Sequence, residues 1–262
     1  MRLEGKVALV TGAGRGIGKA LALAFAHEGA NIVAASRTRA EIEATAREVE
    51  ALGRESLAFP ADVSREEDVA ALAAAAKRFG RLDVLVNNAA LRMNHLGRRD
   101  SYLIRLEDLS IEDWDRTIAV NLRGPFLCTK FFLPLLKKAG AASIINISAG
   151  GGKRGMAGRL PYCASKFGLE GMTQSLAAEL KADNIAVNSL SPGAISILTD
   201  REKIEELKKN PAALFMRPDI MAPPALFLAR QDGNGVTGTH IEALHWIREN
   251  GLGDIEDWRA TI

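Results

Sequence analysis

Two side chains that could transfer a proton, Tyr162 and Lys166, lie four residues apart. On a helix, this spacing places a phenol and an ammonium group on one face, one turn apart. A cation held there favours the phenolate and lowers the pKa of a tyrosine from its free value of about 10. Such a phenol is a candidate general acid and base near neutral pH. The alternative is a surface helix that carries this common pair by chance, so the rest of the chain must decide.

The composition is that of an ordinary globular protein and argues against several classes of function. Of 262 residues, 47% are hydrophobic and 25% are charged, and the net charge of +2 indicates no particular partner. No long basic run predicts nucleic-acid binding. Only Cys128 and Cys163 occur, which argues against a disulfide framework and fits a cytoplasmic location. The four scattered histidines show no zinc spacing, so we expect no metal site.

The sequence also gives no sign of membrane insertion. No apolar stretch reaches about 18 residues without charges, so we expect no transmembrane helix. The first residues lead straight into an apolar run and lack the shape of a signal peptide.

Apolar runs of strand length alternate with helical patterns up to about residue 190. Strands are predicted at 7–10, 31–35, 56–59, 82–86, 143–147 and 185–190, with helices at 16–29, 39–52, 64–80 and 111–138 and after Tyr162. Ser64, followed by Glu67, suggests a capping box. Near-continuous apolar strands joined by helical crossovers predict a parallel sheet covered on both faces, in a doubly wound α/β architecture.

No linker divides the chain, so we expect one domain over residues 1–262. Residues 91–110 form a candidate insertion loop. Residues 196–216 are predicted to be a substrate lid, and 243–262 form a tail that contains Trp246 and Trp258.

The first predicted strand runs into the glycine-rich turn Thr-Gly-Ala-Gly-Arg-Gly-Ile-Gly, residues 11–18, and then into a helix. Glycine lets a backbone approach a pyrophosphate, and a helix N-terminus supplies free N–H groups. The alternative is a strand–helix turn without a ligand. Ile17 stands where the common G-x-G-x-x-G fingerprint has its third glycine, so the pattern here is Gly12, Gly16 and Gly18.

This glycine spacing resembles the motif of the short-chain dehydrogenase/reductase family, and other stretches match that family in the same order. They are Asn87-Asn88-Ala89-Ala90, Asn121, Ser148, Tyr162-x-x-x-Lys166 and Ser191-Pro192-Gly193. The resemblance covers roughly residues 3 to 240. It implies a Rossmann-type sheet of about seven mostly parallel strands, flanked by helices on both faces.

The resemblance implies roles for four catalytic residues. Tyr162 is the general acid and base, and Lys166 lowers its pKa and binds the nicotinamide ribose. Ser148 donates a hydrogen bond to the substrate oxygen. Asn121 holds a water that links Lys166 to solvent. A turn-forming serine and a buried structural amide are the alternatives for the last two.

The end of the second strand indicates which nicotinamide cofactor is used. The residues there are Ser36 and Arg37, and no acid is present to pair with the 2′-hydroxyl of NAD. Arg15, in the glycine turn, could bind a 2′-phosphate from the side opposite Arg37. We therefore predict NADP(H), with NAD(H) as the alternative, unless both arginines are simply solvated.

The cofactor-binding residues implied by the motifs and the resemblance include Asp62 and Val63 at the adenine. Asp62 could equally be a helix-capping acid. The full set is Gly12, Arg15, Gly16, Ile17, Gly18, Ser36, Arg37, Asp62, Val63, Asn88, Ala89, Tyr162, Lys166, Pro192, Gly193 and Ile195.

These features predict an enzyme that interconverts a small-molecule ketone and a secondary alcohol. The alternatives are an NAD-linked alcohol, polyol or hydroxysteroid dehydrogenase, and a nucleotide-binding scaffold without chemistry. The chain departs from the family pattern at Ala90, where glycine is usual, at Ile197, where threonine is usual, and in the tail. The resemblance also implies a homodimer or homotetramer.

Overall fold

The computed structural model describes residues 1–91, 103–193, 196–197 and 215–260. Its strands are β1 (Val7–Thr11), β2 (Asn31–Ser36), β3 (Ser56–Pro60), β4 (Val84–Asn87), β5 (Ala142–Ile147), β6 (Ile185–Ser191), β7 (Ser196–Ile197), β8 (Phe215–Met216) and β9 (His240–Glu242). Within these ranges, seven strands form one sheet in the order β3-β2-β1-β4-β5-β6-β9, and every pairing in it is parallel. The remaining two strands, β7 and β8, form a separate parallel pair.

Helices cover both faces of the sheet. They are α1 (Gly16–His27), α2 (Arg39–Ala51), α3 (Glu66–Ala76), α4 (Ile111–Ile118), α5 (Gly124–Lys138), α6 (Leu160–Leu180), α7 (Ala222–Leu228) and α8 (Ala243–Glu249). One hydrophobic core contains Val10 of β1 and Phe25 of α1, together with side chains of α2, α7 and α8. The other contains Leu9 of β1 and Phe132 of α5, together with side chains of α3 and α6. Successive residues of β1 thus enter opposite cores, which confirms the predicted doubly wound fold.

The long helix predicted over 111–138 is interrupted. A π-helical turn, Ala119–Arg123, separates α4 from α5, and Pro134 lies inside α5. Single π turns inside α-helices frequently occur at functional sites. The side chain in the middle of this turn is Asn121.

The predicted capping box at Ser64 is wrong. The backbone N–H and the hydroxyl of Ser64 both donate to Oδ1 of Asp62, at 2.9 and 2.7 Å. The N-cap of α3 is Arg65, whose side chain makes no capping bond and pairs with Glu67 instead. An aspartate two residues before a serine offers a competing local turn, and here that turn forms.

The tail packs against its own chain. Trp246 of α8 lies 5.6 Å from Phe227, between ring centroids. The backbone N–H of Arg217 donates to the carbonyl of Trp258 at 2.9 Å. These contacts tie the tail to the segment that follows β8, at one end of the predicted lid.

Parts of two predicted loops, 92–102 and 198–214, lie outside the described residues. Across the described ranges, no helix is long and apolar enough to cross a bilayer.

Candidate active site

The carboxyl ends of four adjacent strands, β1, β4, β5 and β6, meet at one edge of the sheet. Parallel strands present their ends together, and the crevice beside the point where the strand order reverses is the usual ligand site of such sheets. Here that point lies between β1 and β4. The glycine turn, Asn88, Ser148 and the Pro192-Gly193 pair all follow these strand ends.

The glycine turn packs tightly against the end of β4. Gly12 and Gly16 have positive φ angles of 67° and 56°, and a Cβ added at Gly18 would lie 2.2 Å from the carbonyl oxygen of Gly12. Nδ2 of Asn88 donates to the carbonyl of Thr11 at 2.8 Å, while Oγ1 of Thr11 accepts from the backbone N–H of Asn88 at 3.0 Å. The amide of Asn88, a predicted cofactor ligand, therefore holds the turn in place.

A cleft opens beside this turn. Its lining contains most of the residues predicted to hold the cofactor, namely Gly12, Arg15, Gly16, Ile17, Ser36, Arg37, Asp62, Val63, Asn88 and Ala89. Gly18 is buried beneath the turn instead. Arg37 is half-exposed, and its Nη1 lies 3.9 Å from Oδ2 of Asp62.

One acidic residue of this cleft escaped the sequence analysis. Glu41 of α2 lines the cleft, and a Cβ at Gly14 would lie 2.8 Å from Oε2 of Glu41 and 3.4 Å from Oγ of Ser36. Its position two residues into α2 gave no signal, because an acid in the first turn of a helix is common. A carboxylate therefore lies near Ser36, in the cleft that also contains the two arginines expected to receive a phosphate.

A second cleft, on the other side of Asn88, contains Ser148, Tyr162 and Lys166. The structure thus brings together three of the four predicted catalytic residues. Lys166 is only 3% exposed. Its Nζ donates to the carbonyl of Ile147 at 2.8 Å and lies 5.8 Å from the centroid of the Tyr162 ring. The ammonium group is therefore fixed beside the phenol.

The fourth, Asn121, is 1% exposed and is held in the π turn. Its Oδ1 accepts from the backbone N–H of Leu91 at 2.7 Å. Its Nδ2 donates to the carbonyl of Leu91 at 2.9 Å and to Oγ of Ser165 at 3.2 Å. Both amide hydrogens are committed, so the side chain joins the segment that follows β4 to α6. This matches the structural alternative, and the water-holding role stays a prediction.

Two of the three remaining predicted residues belong to the second cleft. Pro192 and Gly193 line the second cleft. Ile197, at the position where the family has threonine, also lines it and is 4% exposed within the core. Ile195 lies outside the described residues.

Two acid–base residues behind Ser148 were missed by the sequence analysis. Oγ of Ser148 is hydrogen-bonded to Oε1 of Glu170, and Nδ1 of His240 lies 2.8 Å from the same oxygen. Oε2 of Glu170 accepts from Oγ of Ser189 at 2.6 Å, and Nε2 of His240 lies 3.0 Å from Oγ of Ser191. These five side chains form one continuous hydrogen-bonded chain behind the second cleft.

The carboxyl group of Glu170 has a pKa lowered from its ordinary value. Burial raises this pKa, but the hydrogen bonds from His240, Ser148 and Ser189 together outweigh burial. The sequence held one usable signal, since Glu170 stands four residues after Lys166 on the same helix and therefore shares its face. His240 offered none, because only the fold brings β9 beside β6.

Two arginines, Arg154 and Arg159, line the same cleft as Tyr162. Within the described part of the chain, neither forms a salt bridge with a carboxylate. The neighbouring Lys153, in contrast, lies 2.8 Å from Oε1 of Glu242. Among the described residues, no carboxylate therefore neutralises the two arginines that line the second cleft.

Comparison with known proteins identifies the family. The model of the short chain dehydrogenase family matches residues 6–209. The chain is 39% identical over 247 residues to the 3-oxoacyl-[acyl-carrier-protein] reductase FabG of Thermotoga maritima, covering 92% of this chain and 97% of that protein. The chain belongs to the short-chain dehydrogenase family. It is accordingly an oxidoreductase that acts on a CH–OH or C=O group.

Two further relatives show the breadth of the family. D-threitol dehydrogenase of Mycolicibacterium smegmatis is 36% identical over 249 residues, covering 92% of each protein. The crystal structure of a metagenomic short-chain oxidoreductase in complex with NADP superposes with a TM-score of 0.77 at 33% identity, covering 92% of this chain and 97% of that one. Relatives of similar identity thus include both a reductase and a polyol dehydrogenase.

Proposed function

We propose that this family member is an NADP(H)-dependent enzyme that interconverts a ketone and a secondary alcohol, with Tyr162 as its general acid and base. The observation that carries the proposal is the shared cleft of Ser148, Tyr162 and Lys166. It adjoins the cleft lined by the glycine turn, since Ile17, Asn88 and Ala90 border both. A substrate carbonyl at Tyr162 would therefore lie next to a dinucleotide held at the glycine turn.

The residues of the first cleft fit a dinucleotide. Glycine backbone lines one wall, and the N-terminus of α1 opens onto it, which suits a pyrophosphate. Arg15, Ser36 and Arg37 offer donors for a 2′-phosphate, and the end of β2 has no acid for a free 2′-hydroxyl. The NADP bound to the metagenomic relative supports this preference. The carboxylate of Glu41 lines the same cleft and would repel a 2′-phosphate, so NAD(H) remains the alternative.

The chain's own residues divide the chemistry among themselves. The bound nicotinamide would supply or accept the hydride. Tyr162 would give a proton to the carbonyl oxygen in reduction and take it back in oxidation. Lys166, fixed by Ile147, would stabilise the phenolate through its charge. Ser148 would hold the substrate oxygen in line with Tyr162.

We propose that the substrate carries an anionic group. Arg154 and Arg159 line the second cleft, which contains Tyr162. The arginines expected to bind the cofactor phosphate, Arg15 and Arg37, line the first cleft instead. Arg154 and Arg159 are therefore not placed to bind the cofactor phosphates. Guanidinium groups bind carboxylates and phosphates in bidentate fashion. A keto acid or a phosphorylated ketone carries such a group and would bind to these two arginines.

The test is hydride transfer by wild type and by Tyr162→Phe on a panel of ketones and alcohols, with NADPH and NAD⁺ side by side. General acid–base transfer is typically worth about 10²–10⁴ in rate, so the variant should lose that factor and still bind NADPH. A Ser175→Ala variant, which removes an exposed hydroxyl of the same helix, should match wild type. Activity of Tyr162→Phe within a few-fold of wild type refutes the assignment, and no turnover of any substrate by wild type favours the scaffold.

We also propose that the chain forms one cytoplasmic domain, in which residues 196–216 act as a substrate lid. We propose that this domain assembles as a homodimer or homotetramer. Ile111, Phe126, Leu160 and Phe167, on the exposed sides of α4, α5 and α6, are each 47–77% exposed. Exposed apolar side chains grouped on neighbouring helices suit an interface between copies. A Phe126→Glu, Phe167→Glu double variant should have a lower mass by light scattering than wild type, and an unchanged mass refutes this interface.

A further inference from the structure

We propose that the C-terminal segment, residues 258–260, is a positioning element of the active site that fixes Ile197 in the lining of the second cleft. It does so as a third strand beside β8. The part of this inference that concerns turnover rests on the proposed function, because it takes the second cleft to be the place where the substrate binds. The segment lies beyond the stretch that the family model matches, residues 6–209.

The segment is joined to β8 by the backbone hydrogen bonds of an antiparallel pair. The N–H of Arg217 donates to the carbonyl of Trp258 at 2.9 Å, and the N–H of Ala260 donates to the carbonyl of Phe215 at 2.7 Å. Bonds that run in both directions between two strands are the pattern of an antiparallel ladder. The segment is therefore an added strand, not merely a chain end that lies nearby.

Met216 connects the segment to the second cleft. On one side it forms an antiparallel bridge with Arg259, and on the other it pairs with Ile197 of β7 in parallel register. Ile197 lines the cleft that contains Tyr162. A shift of the segment is thus transmitted to the cleft through one intervening residue.

The strands β7 and β8 need this support because they are short. Each has two residues, and an isolated two-stranded pairing is marginal in water, whereas a third strand or packing on a hydrophobic face stabilises it. Ile197 and Met216 are buried in the core that also contains Ile17, and Trp258 packs against the same core. The segment supplies both the third strand and an aromatic anchor.

The sequence turns the tail back toward β8 at two glycines. Gly251 and Gly253, after α8, have φ angles of 67° and 108°, which glycine adopts without steric cost. Nε1 of Trp258 donates to the carbonyl of Leu252 at 3.2 Å and so closes the reversal. The guanidinium of Arg217 lies 5.5 Å from the centroid of the Trp258 ring, within the range of a cation–π contact. Trp258 is therefore held from both sides.

Ile197 can act on a substrate only by shape, because its side chain has no hydrogen-bonding atom. One methylene group in an apolar pocket is worth about 10- to 200-fold in kcat/KM. A side chain that is displaced keeps part of its contact, so loss of the segment should raise the KM of the substrate by about three- to tenfold. The first cleft is lined by other elements, among them the glycine turn and the end of β2, so binding of the adenosine half of the cofactor should not change.

The test compares two truncated chains. The chain that ends at Asp257 lacks the segment, and the chain that ends at Ala260 keeps it and is the matched control. With a substrate that wild type turns over, the shorter chain should have the raised KM and a nearly unchanged kcat, because a contact made equally in the ground and transition states affects KM alone. The control chain should match wild type.

Both truncated chains should bind 2′,5′-ADP, which resembles the adenosine half of NADP, as wild type does in a calorimetric titration. Weaker binding of this probe to the shorter chain would mean general loosening and overturns the inference. In an Ile197→Ala background, loss of the segment should raise KM no further, since its effect acts through that side chain. An equal further rise overturns the inference as well.

Point variants keep the inference testable if the shorter chain does not fold. Trp258→Ala should raise KM in the same direction, whereas Trp258→Phe, which keeps a ring against the core, should remain close to wild type. A KM for Trp258→Ala equal to that of wild type overturns the inference.

Hydrogen exchange provides a measurement that does not depend on turnover. In the shorter chain and in Trp258→Ala, the amides of residues 196–197 and 215–217 should exchange faster than in wild type, because the pairing has lost its third strand. The amides of β1 and β5 should be unaffected. Unchanged exchange at residues 196–197 overturns the inference. If wild type turns over no substrate, the proposed function fails, and hydrogen exchange alone then decides whether the segment fixes Ile197.

Discussion

Gly18 allows the sharpest test of how the cofactor cleft is built. A Cβ at this position would lie 2.2 Å from the carbonyl oxygen of Gly12 and 2.5 Å from Nδ2 of Asn88. That amide is fixed in turn by its bond to Thr11. Because ordinary contact begins at 3.4 Å, Gly18→Ala has to move α1 away from the turn by about 1.2 Å, the difference between the two distances.

This displacement has two consequences of known size. Overpacking a fixed site costs about 1–3 kcal/mol, which lowers the Tm of a domain of this size by about 2–12 °C. The same shift moves the N–H groups at the start of α1 by about the length that breaks a hydrogen bond. Loss of one such bond to a phosphate costs about 1.5–3 kcal/mol, or about a 10- to 100-fold weaker affinity for NADPH.

The assay is a fluorescence titration with NADPH beside a thermal melt. The matched control is Gly171→Ala, because Gly171 lies in α6 with no neighbour within 4 Å of the added Cβ. Removal of a helical glycine should stabilise the control by about 0.5–1 kcal/mol and leave NADPH binding unchanged. A Gly18→Ala variant with wild-type Tm and wild-type affinity would refute the close approach of helix and turn.

Three further predictions concern selectivity. Arg37→Asp should reduce the preference for NADPH over NADH about 10- to 100-fold in kcat/KM, since it removes a charged phosphate donor; retained selectivity would contradict the cofactor assignment. Glu41→Gln should tighten NADPH binding about two- to fivefold, because it removes a like charge from the phosphate side of the cleft; equal or weaker binding in a titration would show that Glu41 does not face the phosphate. Replacement of Arg154 and Arg159 together by alanine should raise the KM of an anionic ketone about three- to tenfold and spare a neutral one, whereas Lys153→Ala, whose partner is Glu242, should change neither.

The fold was predictable because its signals are local. Each strand is a short apolar run, each crossover shows helical periodicity, and right-handed crossovers leave few arrangements of a parallel sheet. The glycine turn was equally predictable, because glycine is the residue that readily adopts the positive φ found at Gly12 and Gly16. Once the strands are ordered, Ser148 and Tyr162 must meet at the carboxyl edge of the sheet.

Two irregular features were not predictable, because each depends on a hydrogen-bond partner that lies outside the sequence motif. Ser64 has the spacing of a capping box, yet Asp62 two residues earlier takes both of its donors. The π turn at Asn121 is held by Leu91, 30 residues earlier in the chain. In both places, a partner outside the motif determined the conformation within it.

The same reasoning applies to the chemistry of Ser148. Its position after β5 follows from the motif, but its partner Glu170 is 22 residues away, and His240, which contacts the same carboxyl oxygen, lies on the last strand of the sheet. The motif therefore predicts where the serine lies, whereas the groups that bind its hydroxyl are residues that only the fold brings together.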